Sequence, residues 1–205
     1  MENNLQVLDI EQNKKEFIEI YNKYITREGA DKLLEWLQTT DFFVAPASTK
    51  FHSAVEGGLC FHSLNVYNRF LNNLKNEFGE QLSQKISDES IAIIALLHDI
   101  CKVNCYKVDY RNVKVDGEWT KQPYFAYNDT LPYGHGEKSV YMISGFFKLT
   151  REEAMAINWH MGGFDTRVQG GSYALSGAFY QFPIACMFHI SDIQATYLDE
   201  QATKI

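Results

Sequence analysis

The sequence predicts a mainly α-helical bundle carrying one inserted β-hairpin. Three observations lead there. Residues 91–97, IAIIALL, are apolar without a break, the mark of a helix buried on nearly every side. Apolar residues recur at helical spacing in several other stretches, separated by glycine and proline. Residues 105–128 instead alternate around Asp116-Gly117, a strong hairpin-turn pair.

The 205 residues, 45% hydrophobic and 22% charged, read as one globular domain with a small appendage. The appendage is 1–50, a helical extension packed on the core; the main domain is 51–205, with the hairpin inserted at about 105–128. Nineteen basic residues against 26 acidic give a net charge of −7, which disfavours non-specific binding to nucleic acid or to an anionic membrane. No apolar run approaches the ~20 residues of a membrane span. The start, MENNLQVLDIEQNKKEF, lacks a signal-peptide pattern. The expected location is therefore the cytoplasm. Cys60, Cys101, Cys105 and Cys186 form no CxxC pair and read as free thiols in a reducing compartment.

Taken in order, 9–25 is a first helix, with a stripe of Phe17, Ile18, Ile20, Tyr21 and Tyr24; a short second helix covers 30–37 after Gly29. Residues 41–58 are a loop by their Pro, Ser and Gly content, and hold His52. A helix over 59–78 stops at Gly79 and turns His62 towards the core, with Leu59, Val66 and Phe70. The central helix spans 88–103, N-capped by Ser87, with Asp88 and Glu89 at the positive end of its dipole. His98 and Asp99 stand together after its apolar run, with Lys102 three residues on. Burying such a pair is costly unless something compensates it, and a metal ion does so. The hairpin follows, either capping the bundle or supplying Tyr124, Phe125 and Tyr127, with Tyr133 beyond it, to stack on a substrate base.

Residues 131–149 begin as a turn and continue as a helix, with His135 between two glycines that free the backbone for close approach. Residues 150–161 form a helix opened by the capping box Thr150/Glu153 and closed by Gly162-Gly163, with His160 in its last turn. Residues 164–180 read as a Gly/Ser-rich loop containing Asp165 and Arg167. The last helix spans 182–200, with Pro183 near its start and Asp192 facing inward. Each of these histidines has an ordinary structural explanation; together, across a bundle core, they favour a metal site.

In this order GGLCFHS, ALLHDICKV, GHGEKS, INWHMGG and FHISDI resemble the motifs of the HD-domain superfamily of metal-dependent phosphohydrolases. GGLxxH and LLHDxxK are also similar to the HD domain of bacterial 3′–5′ exoribonucleases. The resemblance covers roughly 52–200. It implies an HD-domain-like bundle in which His62, His98, Asp99 and Asp192 hold a first divalent ion. Asp99 then bridges to a second ion held by His135 and His160. The ions implied are Mn, Fe, Ni, Co or Mg. Lys102 is implied to meet a substrate phosphate, and Lys138, Arg167 and His52 are further candidates for substrate binding. Asp99 and Lys102 are the candidate catalytic pair. Some single-metal members carry a glutamate just after the HisAsp pair; here Ile100, Cys101, Lys102 and Val103 stand there, which favours two metals and metal-activated water. The expected activity is hydrolysis of a nucleotide or another small phosphate ester. The alternatives are a single-strand-specific nuclease, disfavoured by the net charge, and an inert binding or sensor module of the same fold.

Overall fold

A computed structural model describes residues 8–115 and 117–200. Its helices are α1 (Ile10–Tyr24), α2 (Ala30–Gln38), α3 (Gly58–Phe78), α4 (Leu82–Lys85) and α5 (Asp88–Leu97), then α6 (His135–Ser144), α7 (Arg151–Asn158), α8 (Thr166–Gln169), α9 (Ala174–Gln181) and α10 (Pro183–Gln194). Strands β1 (Tyr106–Val115) and β2 (Glu118–Tyr127) form the only sheet among the described residues. The fold is mainly α with an inserted hairpin. No described helix is long and apolar enough to cross a membrane.

The bundle is built around α5. Every side chain from Ile91 to Leu97 is buried, and the helix packs against α1, α3 and α7. Each buried aliphatic side chain contributes roughly 1.5–3 kcal/mol. Phe17 and Tyr21 of α1 and Leu33 and Leu37 of α2 lie in the same buried cluster, so these two helices share the core. Local signals set several helix starts. Asp9 caps α1 by accepting from the Gln12 N–H at 3.0 Å. Ser87 caps α5, and Thr150 and Glu153 form the expected reciprocal box at α7.

Four elements differ from the sequence expectation. The central helix does not run to 103. It stops at Leu97, and a 3-10 turn, Ile100–Lys102, follows. Helix α7 ends at Asn158, so His160 lies beyond it and not in its last turn. The stretch 164–180 is no plain loop: Asp165 caps α8 through the Arg167 N–H, and α9 follows the Gly170-Gly171 turn. The last helix is α only to Gln194 and then widens into a π turn, Ala195–Asp199.

The hairpin pairs Tyr106 with Tyr127 through to Val115 with Glu118, within the expected 105–128. Gly117 has φ +92°, as a tight turn requires; Asp116, the other half of the turn signal, and the first seven residues lie outside the described residues. Directly paired residues share a face. One face therefore carries Val108, Tyr110, Trp119 and Tyr127, all exposed.

Candidate metal centre

The break after Leu97 places the HisAsp pair. His98 ends α5 and Asp99 leaves it with φ −103° and ψ 16°. In the 3-10 turn that follows, side chains three apart eclipse, so the Lys102 ammonium reaches Asp99 Oδ2 at 2.6 Å. Asp99 is buried, and its two oxygens face different partners. Oδ2 looks towards His62 Nε2 at 3.6 Å and His98 Nε2 at 3.5 Å. Oδ1 looks towards His135 Nε2 at 2.8 Å and His160 Nε2 at 3.4 Å. Asp192 Oδ1, from α10, lies 3.3 Å from His62 Nε2. Four histidines from four separate motifs thus surround the Asp99 carboxylate, and Asp192 joins the cluster through His62.

Helix packing makes this possible. Gly136 is the contact that brings α6 against the end of α7: a Cβ there would lie 2.3 Å from the Asn158 carbonyl oxygen. His135 and His160 consequently face each other with ring centroids 5.1 Å apart. His189, which the sequence did not single out as a site residue, donates from Nδ1 to the His160 carbonyl at 2.6 Å and braces the turn.

The rings are aimed by their far nitrogens. His98 Nδ1 lies 2.9 Å from the Ala95 carbonyl and His160 Nδ1 lies 2.7 Å from the Ile157 carbonyl. A carbonyl only accepts, so each Nδ1 carries the proton and each Nε2 is left to face the cluster. His62 Nδ1 donates in the same way to Glu200 Oε1 at 2.8 Å. This is the outer-partner pattern of metal-ligating histidines.

The electrostatics ask for positive charge inside. Burial drives the His98 pKa down to about 3, so that ring stays neutral. Burial also opposes charge on His62, yet Glu200 and Asp192 push its pKa up to about 10. His160 is likewise raised against its burial by Asp99. Asp99 itself, despite burial, is held well below the usual carboxylate range by Lys102 and the surrounding histidines. His160 Nε2 is buried with no hydrogen-bond partner. Neutral nitrogens facing carboxylates, and protons drawn onto buried imidazoles, mark a cluster that favours positive charge. Imidazole and carboxylate donors suit first-row divalent metals. Among the described residues, the groups with ligand atoms within reach of a single ion are His52 with His62 and Glu200, His62 with His98 and Asp99, His98 with His160 and Asp192, and Asp99 with Cys101 and His135. These groups fit a metal ion.

The other expected substrate contacts are placed differently. His52 donates from Nδ1 to Glu200 Oε2 at 2.8 Å, beside His62. Lys138 is buried in an ion pair with Asp129 at 2.5 Å and also reaches Cys105 Sγ at 3.2 Å. The Arg167 guanidinium binds Asp165 and Glu137 and stacks on Trp159 at 4.0 Å. Both cations are thus paired with protein carboxylates. Tyr133 stacks on Tyr141 at 5.0 Å. Cys101, with Sγ 3.5 Å from His135 Nδ1, and Glu200 also lie beside the cluster, outside the residues that the sequence singles out. All four cysteines are free thiols, as expected. No protein-family model, no curated protein and no solved structure matches this chain.

Proposed function

We propose that the chain is a metal-dependent phosphohydrolase of the HD type, acting on a nucleotide or another small phosphate ester. The observation that carries this reading is the division of Asp99, with Oδ2 turned to His62 and His98 and Oδ1 turned to His135 and His160. A carboxylate turned to two pairs of imidazoles in this way could serve two ions. His62, His98, Asp99 and Asp192 would hold one ion, and Asp99, His135 and His160 the other. Bound divalent ions supply a Lewis acid for a phosphoryl oxygen and lower the pKa of a coordinated water.

The protein's own groups do the rest. His98, His160 and Asp99 form the buried floor, whereas the side chains of His52, Lys102, Asp192 and His135 are 16%, 13%, 14% and 27% exposed. Those four are the partly exposed members, and a phosphate ester would reach the cluster past them. Lys102 stays a cation, because Asp99 overrides the cost of burying its charge and raises its pKa. One of its three donors is on Asp99, and the other two are available to phosphate oxygens. With no glutamate after the HisAsp pair, Lys102 is the charged group that orients the substrate.

A single-strand nuclease is the second reading. The hairpin favours it, since exposed Tyr110, Trp119 and Tyr127 offer stacking surfaces and Lys121 lies 5.7 Å over the Tyr110 ring. Elemental analysis together with a chromatographic screen for hydrolysis products of nucleotides and oligonucleotides in Mn²⁺ separates the cases. Bound metal and nucleotide turnover, both lost in Asp99→Ala, support the phosphohydrolase. Turnover of oligonucleotides only selects the nuclease. Absence of bound metal after incubation with Mn²⁺, Co²⁺, Ni²⁺ or Zn²⁺ sinks both and leaves a binding module.

A further inference from the structure

The Glu200 carboxylate lies outside the Asp99 cluster but directly behind it. Its side chain is fully buried and receives four donors. His62 Nδ1 and the Asn65 amide reach Oε1 at 2.8 and 3.3 Å; His52 Nδ1 and the Ser53 hydroxyl reach Oε2 at 2.8 and 2.6 Å. The four donors come from the loop before α3 and from α3 itself, 135–148 positions away in sequence. The π turn delivers the carboxylate: the Glu200 N–H closes it on the Ala195 carbonyl at 3.1 Å, and Glu200 itself is extended. Such wide turns are often found at functional positions in helices. Asp199, next door, pairs with Arg69 of α3 and pins the same segment.

We infer that Glu200 is a positioning residue for metal binding: it fixes the proton of His62 on Nδ1 and so turns Nε2 towards Asp99 and Asp192. The inference rests on the metal centre proposed above. Without that acceptor, the His62 ring loses its orienting bond and is free to present the wrong nitrogen. Outer partners of this kind are worth about 10–100-fold in metal affinity.

The experiment is Co²⁺ titration of wild type, Glu200→Met and Asp199→Asn, followed by visible absorption, with melting of the metal-free proteins alongside. Glu200→Met, which keeps the length and removes both acceptor oxygens, is expected to bind Co²⁺ about 10–100-fold more weakly and with an altered visible spectrum. Asp199→Asn loosens the same segment without touching the Glu200 hydrogen bonds, and is expected to keep wild-type affinity and spectrum. Equal affinity and spectrum in Glu200→Met and wild type overturn the inference and leave the metal centre standing. An equal loss in Asp199→Asn also overturns it, because placement of the segment is then the cause. Should Glu200→Met not fold, Glu200→Asp, which keeps the charge and shortens the reach, is read by the same criteria. Failure of wild type to take up Co²⁺ removes the metal centre itself and the inference with it.

Discussion

Two buried carboxylates, Glu153 and Asp99, are solved in opposite ways. Glu153 on α7 is fully buried and closed off. Arg27 reaches Oε2 through Nη1 and Oε1 through Nη2, both at 2.9 Å, and the Ser90 hydroxyl and the Thr150 N–H complete its shell at 2.7 and 2.8 Å. Every lone pair has a donor, and the fork geometry is the strong bidentate kind. Asp99 is equally buried, but only Lys102 and His135 approach within hydrogen-bonding range. Three further nitrogens stand at 3.4–3.6 Å. A closed shell ties α7 to the segment after α1 and stabilises the fold. An open shell of mixed nitrogen and oxygen donors has room for an ion. The difference teaches that burial of charge alone does not mark a site; unmatched donors around it do.

The largest effect expected from this contrast is at Asp99. Asp99→Asn should lose bound metal and reduce turnover by more than about 100-fold, the upper end for losing merely an outer partner of a ligand. Its helical circular dichroism should remain. Retained metal would place the ions elsewhere and erase the contrast. Arg27→Met should act on stability instead, costing about 3–5 kcal/mol in urea melts because it strands the buried Glu153 charge. Metal content should be unchanged; a joint loss of metal would show that the two carboxylates are not independent.

The pH dependence sharpens the comparison further. Burial would raise the Glu153 pKa, yet Arg27, Ser90 and the Thr150 N–H hold it below its ordinary value of 4.5. Glu89, the other partner of Arg27, is lowered too, against its burial, by the Thr26 N–H and Arg27. A depressed folded-state pKa means that the unfolded chain binds the proton first as pH falls. The stabilisation is therefore complete above about pH 4.5 and is lost progressively below it. The urea midpoint of wild type should drop across that window, and Glu153→Gln should flatten the slope. The smallest effect is expected in the hairpin. Trp119 is 72% exposed, so Trp119→Ser should change stability by no more than about 0.5 kcal/mol. A larger loss would mean that this face is covered in solution.

Much of this was legible in the chain because it is written in local pattern. The apolar run 91–97 gave the core helix, alternation gave the hairpin, and Thr150 with Glu153 gave a capping box that the structure contains. The HisAsp pair was noticed because burying it demands compensation. What stayed hidden depends on long-range pairing or on non-α geometry. Nothing near Arg27 reveals that its partner is Glu153, 126 positions on. Glu200 sits at the expected end of a helix, where an acidic residue is unremarkable, and only the π turn directs it inward. Lys138 and Arg167 carry the right charge for phosphate, but Asp129, Asp165 and Glu137 already hold them, and those pairings follow from the packing of α6 and α7. The helices within 164–180 were obscured by glycines that in fact separate two short helices.

The Glu200 bridge also bears on how the protein is made. His52 and Glu200 are 148 positions apart. At roughly 5–20 residues per second, about 7–30 s separate their synthesis on the ribosome. The core helix α5 and its neighbours α1 and α3 are complete well before then. His62 is therefore synthesised well before Asp192 and Glu200, the carboxylates that flank it. The same late segment brings Ile184, Ala185 and Phe188 into the core, so the packing of α10 and the pairing of His62 arrive together.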